Sequence, residues 1–229
     1  MAEDRKRYVY RNPRAITRWL KIASFVLVAL FVASLVSYVL QYIFLLDAES
    51  GAFVSRDALV AAGRDNDARV QVLATLSLIT LVVAQISFFL WLYRAVANVH
   101  ALGAEIGVGA GLAIGLYFIP LVNLFLPAVS MSEIVRGSED PVHWKELKGW
   151  WLVPVWWVLW IAMNIGGYAV SFAVSTKDME SLKFSTTLLA LDKLVETLAW
   201  IALLVLISRV SRLQIAQGLL KAHVEQVFG

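Results

Sequence analysis

The 229-residue chain is 60% hydrophobic and 16% charged, with a formal net charge of +3 and a mean hydropathy of +0.72. Soluble domains carry about 25% charged residues, so this chain has too little polar surface to cover a water-soluble fold. The composition excludes an ordinary soluble protein, and the absence of cysteine excludes disulfides and thiolate metal sites. A nucleic-acid partner is not expected.

Long apolar runs predict an all-α, polytopic membrane protein with a single integral membrane domain over residues 1–229. A span needs about 20 apolar residues to cross roughly 30 Å of hydrocarbon. A backbone in lipid must also satisfy its own hydrogen bonds, which a helix does. We predict complete spans at residues 22–46, 70–93, 150–176 and 186–208.

The segment before the first span, residues 1–21, is strongly basic and predicts the orientation of the chain. Its positive residues are Arg5, Lys6, Arg7, Arg11, Arg14, Arg18 and Lys21. Because such flanks remain in the cytoplasm, the N-terminus is expected there and the acidic segment 47–69 is expected outside. Asn12 as N-cap and Pro13 as first helical residue predict where the first helix begins.

The third apolar segment, residues 106–136, contains Pro120 and Pro127, each of which removes a backbone donor from a helix. The arms on either side are about 13 residues long, too short to span alone. A re-entrant segment would leave 14 of the 20 positive residues in the cytoplasm, whereas a fifth span would leave 11. We therefore favour four transmembrane helices around a re-entrant third segment, with five transmembrane helices as the alternative.

Four glycines in and before this third segment are spaced four residues apart: Gly103, Gly107, Gly111 and Gly115. On a continuous helix this spacing places them on one face, where another backbone can approach closely. We predict a helix-packing face that serves either packing within the chain or formation of a homo-oligomer.

Three polar residues near the third segment form a candidate site. Arg94 and Asn98 share a helix face near the cytoplasmic end of the second span, and Asn123 lies between the two prolines. One interpretation is that they converge on an anionic lipid head group or a small anion beside the broken helix. The other is that they form structural hydrogen bonds between helices.

Other polar residues lie within the predicted spans, where they are costly unless partnered. Gln85 and Asn164 are expected to bond to neighbouring helices or to mark a pathway. Asp192 and Glu196, with Lys193 between them, are expected where the last span emerges from the outer leaflet, with Lys193 snorkelling. The alternative is a proton- or cation-coupling role for the two carboxylates.

The nine tryptophans and three histidines do not indicate a cofactor or a metal site. Trp144, Trp150 and Trp151 cluster at the predicted membrane entry of the fourth helix, as interface anchors do. The histidines lie outside the apolar runs and lack metal-ligand spacing. No catalytic motif is present, so an enzyme is not expected.

The tail, residues 209–229, has the pattern of an amphipathic C-terminal helix. Its apolar stripe is Val210, Leu213, Leu220, Val224 and Val227. Such a helix lies on the cytoplasmic surface or docks on a partner.

Several stretches resemble a family. These are FFLWLYRAVANVHALG, GLYFIPLVNLFLPAVSMSEIVRG, WWLVPVWWVLW and RVSRLQ, within Phe88 to Gln214. Their most specific parts are W-L-x-R-x-x-x-N, from Trp91 to Asn98, and I-P-x-x-N-x-x-x-P, from Ile119 to Pro127. The chain is similar to a bacterial family of multi-pass membrane proteins catalogued as a domain of unknown function, family 4328. Relatives tend to carry tryptophan where this chain has Leu116 and Tyr117.

That resemblance implies a protein of the bacterial inner membrane and supplies no activity, ligand or catalytic residue. Two classes of function fit the residues. The first is a non-catalytic accessory or scaffold subunit that contacts membrane lipids and other membrane proteins or a second copy of itself. The second is a small transporter or channel with a polar site at the broken third segment.

Overall fold

The computed structural model describes residues 8–173 and 178–228, and within these ranges the chain is helical and contains no strand. This confirms the all-α prediction. The α-helices are α1 (Arg14–Ser50), α2 (Arg56–Ala101), α3 (Ala110–Gly115), α4 (Leu126–Glu139), α5 (Leu152–Ala173) and α6 (Met179–Phe228), and a short 3-10 helix covers Val122–Leu124.

Within residues 8–173 and 178–228, three helices are long and apolar enough to cross a membrane: Arg14–Ser50, Arg56–Ala101 and Leu152–Phe172. They contain the first two predicted spans and most of the span predicted at 150–176. The span predicted at 186–208 lies inside the 50-residue helix α6. The chain therefore has the helices of a membrane protein, while the number of spans, four or five, stays a prediction.

The ends of α1 and α2 follow the local signals of the sequence. The Asn12 side chain accepts a hydrogen bond from the Arg14 amide, and the Thr17 amide bonds to the Pro13 carbonyl. This confirms the predicted helix start. At the other end Gly51 adopts a left-handed φ of 72° after α1, and Ser55 accepts a hydrogen bond from the Ala58 amide at the start of α2. Most of segment 47–69 is thus helical.

The glycine-face prediction is wrong, because the four residues do not lie on one helix. Helix α2 ends at Ala101, and Gly103 adopts a left-handed φ of 108° immediately after it. Gly107 lies in the connection that follows, and only Gly111 and Gly115 belong to α3. A Cβ atom at Gly111 would meet nothing within 4 Å. Helical spacing in the sequence therefore did not reflect a helix.

The C-terminal helix predicted at 209–229 is present as the last part of α6. Helix α6 continues without interruption to Phe228. Of the predicted apolar stripe, Val210 is fully buried, whereas Leu220, Val224 and Val227 are exposed. The tail contacts the rest of the protein as far as Lys221, whose Nζ donates a hydrogen bond to the Ala101 carbonyl.

The described residues group into two compact units. The first unit comprises the residues up to Ala23, Ala84–Trp157 and the residues from Ala202 onward. The second unit comprises Ser24–Val83 and the described part of Val158–Ile201. The core of the first unit includes Trp91, Trp156, Met131, Ile134, Leu206 and Ile207, and that of the second includes Leu27, Phe31, Tyr38 and Trp200.

Candidate functional site

The centre of the first unit is a buried amide, Gln214 of α6, whose residue is only 1% exposed. Its Nε2 donates to the Ala95 carbonyl oxygen at 2.9 Å and to the Ser138 Oγ at 3.1 Å. Its Oε1 accepts a hydrogen bond from Asn98 Nδ2 at 3.1 Å. One side chain of α6 therefore binds both α2 and α4.

Asn98 extends this arrangement to the N-terminal segment. Its Oδ1 accepts a hydrogen bond from the Arg11 amide at 3.0 Å, and its Nδ2 donates to the Arg11 carbonyl at 2.9 Å. With the bond to Gln214, both polar atoms of the Asn98 amide are engaged inside the protein, and the residue is fully buried. Asn98 therefore acts as a structural connector and presents no polar atom to an external ligand.

A second chain of hydrogen bonds runs beside the first. Trp91 Nε1 donates to Ser211 Oγ at 3.0 Å, and this hydroxyl is 2.8 Å from Thr17 Oγ1. All three residues are buried, so α1, α2 and α6 are joined away from solvent. We call the two chains together the polar junction, formed by Trp91, Asn98, Ser138, Ser211, Gln214, Thr17 and the backbone of Arg11.

Two glycines allow the segments around the polar junction to approach closely. A Cβ atom at Gly137 would lie 2.7 Å from Val99 Cγ1, and one at Gly218 would overlap the Tyr10 ring. The Tyr10 hydroxyl donates to the Gln214 carbonyl at 3.1 Å, and burial raises the pKa of this phenol. Neither glycine belongs to a repeating pattern, so the sequence offered no signal for this role.

The predicted group of Arg94, Asn98 and Asn123 is not joined by any hydrogen bond in residues 8–173 and 178–228. Arg94 is half-buried, and its guanidinium has no hydrogen bond or ion pair with any residue of these two ranges. Asn123 lies in the short 3-10 helix, and its Oδ1 is buried without a hydrogen-bond partner. The preceding Leu121 has a φ of 66°, a strained value for a branched side chain. Whether Arg94 and Asn123 share a ligand stays a prediction.

A cluster of cations and indole rings lies at the end of α4 and in the connection to α5. The Arg209 guanidinium lies 4.5 Å from the centre of the Trp150 ring, and its Nη2 donates to Glu139 Oε2 at 2.9 Å. The Arg136 guanidinium lies 5.4 Å from the Trp144 ring centre, and its buried Nε has no hydrogen-bond partner. We call Arg136, Trp144, Trp150 and Arg209, with Lys145 near Trp144, the Arg–Trp surface. Trp144 is buried beneath it, and the two arginines and Trp150 are partly exposed.

The remaining polar residues of the predicted spans differ in how they are used. Asn164 donates to the Trp160 carbonyl four residues earlier in its own helix, at 2.8 Å. Gln85 is half-buried. Asn164 thus satisfies its amide locally instead of bonding to another helix.

The sequence places three charged residues at the opening of the last helix: Asp192, Lys193 and Glu196. In the structure they lie well inside that helix. Helix α6 begins at Met179, so Asp192 follows 13 residues of helix, about 20 Å along its axis. Lys193 donates a hydrogen bond to Glu196, and its ammonium lies 4.7 Å from the centre of the Phe31 ring. The boundary was misplaced because residues 179–191 continue the helix beyond the apolar run.

The family described as a domain of unknown function (DUF4328) matches residues 55–212, more than two thirds of the chain. The match contains most of the polar junction, including Trp91, Asn98 and Ser138, and the whole broken segment around Asn123. No curated protein and no solved structure matches the chain. The chain therefore belongs to the DUF4328 family, as its sequence motifs indicated.

Proposed function

We propose that the protein is a non-catalytic accessory or scaffold protein of the bacterial inner membrane, which assembles with other membrane proteins and binds anionic lipids through its first unit. The observation that carries this proposal is the polar junction. Its buried side chains fix the N-terminal segment, α2, α4 and α6 to one another.

A fully paired network of buried polar groups makes a structure rigid and specifies one arrangement. The side-chain amides of Gln214 and Asn98 form their hydrogen bonds with other groups of the protein. Such groups have no remaining capacity to bind a substrate or to transfer a proton. They are suited to hold a surface in a fixed shape, which is what a scaffold requires.

The Arg–Trp surface is the part of this unit that we expect to contact lipid. Tryptophan and arginine are enriched together at the membrane–water interface, and a positive side chain near anionic lipids contributes about 1 kcal/mol. Arg136 supports a contact with anionic lipid, because its guanidinium lies over Trp144 and has no carboxylate partner in the described chain.

The proposal includes a topology with a cytoplasmic N-terminus, four spans and a re-entrant third segment. Helix α3 has 6 residues and α4 has 14, and both are shorter than the roughly 20 residues that a span needs. The turn between them carries exposed apolar side chains, Phe118, Leu121 and Phe125, which suit a hydrocarbon environment.

Cysteine labelling tests this topology cleanly, because the chain has no native cysteine. In intact cells, a membrane-impermeant maleimide should label Val54→Cys, in the turn between α1 and α2, and should not label Gln226→Cys. Labelling of Gln226→Cys from outside would contradict the four-span topology.

The accessory role is tested by extracting the tagged full-length protein from native membranes in polymer nanodiscs and measuring bound protein and lipid. We expect a partner at fixed stoichiometry and an enrichment of anionic phospholipid. Arg136→Gln with Arg209→Gln should reduce the lipid enrichment. The matched control Arg212→Gln removes an exposed charge from the same helix as Arg209 and should not reduce it. A chain that purifies alone, with unselected lipid, would contradict the proposal.

A transporter or channel is the second candidate, and Asn123 is the observation that favours it. An unpaired buried amide oxygen in a broken membrane segment is the kind of group that lines a polar path. Here Asn123→Cys should react with a small water-soluble thiol reagent, whereas Phe118→Cys on the exposed turn should react only with a lipid-soluble one. Protection of Asn123→Cys from the water-soluble reagent would remove this candidate.

A further inference from the structure

Three charged residues of α6 lie level with the middle of the first predicted span: Asp192, Lys193 and Glu196. The Lys193 ammonium is 4.7 Å from the Phe31 ring centre, and Phe31 is the tenth residue of the span predicted at 22–46. Ionisable groups at such a depth are rare and mark functional sites by default. This position, inside the second unit, is unlike the helix end at which a lysine snorkels.

The charges of this group do not balance. Lys193 pairs with Glu196, one helical turn further on, and its ammonium also faces the Phe31 ring. Asp192 is the second carboxylate, and its Oδ1 is buried without a hydrogen-bond partner. With both carboxylates ionised the group carries one net negative charge, which a cation at the half-buried Asp192 would balance.

Asp192 lies at a groove between α5 and α6 whose volume is about 400 Å³, within the range of small-molecule sites. The other residues that line the groove are apolar or glycine: Ala162, Gly166, Val170, Phe184, Leu188, Leu191 and Val195. Gly166 is what allows the carboxylate to lie against α5, because a Cβ atom there would be 3.1 Å from Asp192 Oδ1.

We propose that this groove binds a lipophilic organic cation, an amine or a quaternary ammonium or phosphonium ion with an apolar body, with Asp192 as its counter-ion. The apolar walls select the body of the ligand and the unpaired carboxylate selects its charge. Within a low-dielectric groove this pairing is much stronger than in water. The site goes beyond the accessory role of the first unit and uses none of its residues.

The test is binding of tetraphenylphosphonium to the full-length protein in nanodiscs of zwitterionic phosphatidylcholine, with tetraphenylborate as an anion of the same shape. We expect saturable binding of the cation and little binding of the anion. Asp192→Asn should weaken cation binding by about tenfold or more. Glu180→Gln removes an exposed carboxylate from the same helix and should leave binding unchanged.

Two glycine variants distinguish the contact between α5 and Asp192 from a general effect on α5. Gly166→Ala would displace the carboxylate and should weaken binding several-fold. Gly167→Ala adds the same methyl group where nothing lies within 4 Å and should not change binding. Thermal unfolding of each variant confirms that it is folded. Equal binding of tetraphenylborate, or unchanged binding by a folded Asp192→Asn variant, would overturn the proposal.

Discussion

The buried polar residues of the two compact units are used differently. In the first unit neutral amides and hydroxyls pair across segments that are far apart in sequence, as Asn98 does with Arg11 and Gln214. In the second unit several polar side chains bond within their own helix, as Asn164 and Thr197 do with carbonyls four residues earlier. The cross-helix contacts of the second unit include ionic groups, such as Lys183 with Glu49.

This difference shows where each unit can accommodate something else. A junction of neutral, mutually paired groups is complete, and adding a ligand would require breaking it. The groove at Asp192 is incomplete by comparison with this junction, because it holds a buried carboxylate oxygen without a hydrogen-bond partner. Rigidity and a binding capacity are thus assigned to different parts of the same helices.

The largest effect is expected from removing the centre of the polar junction. Gln214→Leu removes one buried hydrogen bond each from Asn98, the Ala95 carbonyl and Ser138, so we expect a loss of about 2–4 kcal/mol of unfolding free energy. Gln217→Leu on the same helix removes one exposed bond to the Glu139 carbonyl and should cost less than about 1 kcal/mol. Denaturant titration in detergent micelles measures both. Equal losses would mean that the first unit has no special junction.

The next effect concerns the glycines, where the sequence pattern and the structure disagree. Gly218→Ala places a methyl group on the Tyr10 ring, and such overpacking typically costs about 1–3 kcal/mol. Gly111→Ala enters open space in a short helix and should be neutral or slightly stabilising. The readout is the melting temperature of each variant. If Gly111→Ala lowers the melting temperature more than Gly218→Ala does, the result would support the predicted glycine packing face.

The sequence was sufficient for the features that depend on local or compositional signals. Apolar runs gave the helices, Asn12 and Pro13 gave the start of α1, and the motif around Trp91 and Asn98 gave the family. These signals are sufficient because lipid and backbone hydrogen bonding constrain the structure of each segment separately.

Features that depend on which segments meet were not accessible in the same way. Nothing in the sequence of the predicted tail singles out Gln214, because its partners Ala95 and Ser138 are distant in sequence. The sequence leaves Asn98 open to a ligand site or to structural hydrogen bonds, because it does not show that Arg11 engages the amide. The charges of α6 were placed at a helix end because apolar character, and not helix length, located the boundary.

The smallest effect should come from the ion pair of the second unit, where Lys183 Nζ lies 3.0 Å from Glu49 Oε2. The Glu49 carboxylate raises the pKa of Lys183 above its usual value, so the pair stabilises the protein fully below about pH 10.5 and loses this contribution as the pH rises through the raised pKa. Lys183→Gln should therefore lower the melting temperature slightly at pH 7, and the difference from the parent should shrink in high salt and above that pKa. Gln214→Leu should show no such dependence, because no charge is removed. A salt-sensitive Gln214→Leu or a salt-insensitive Lys183→Gln would mean that the neutral polar junction and the ionic Lys183–Glu49 contact do not differ in this way.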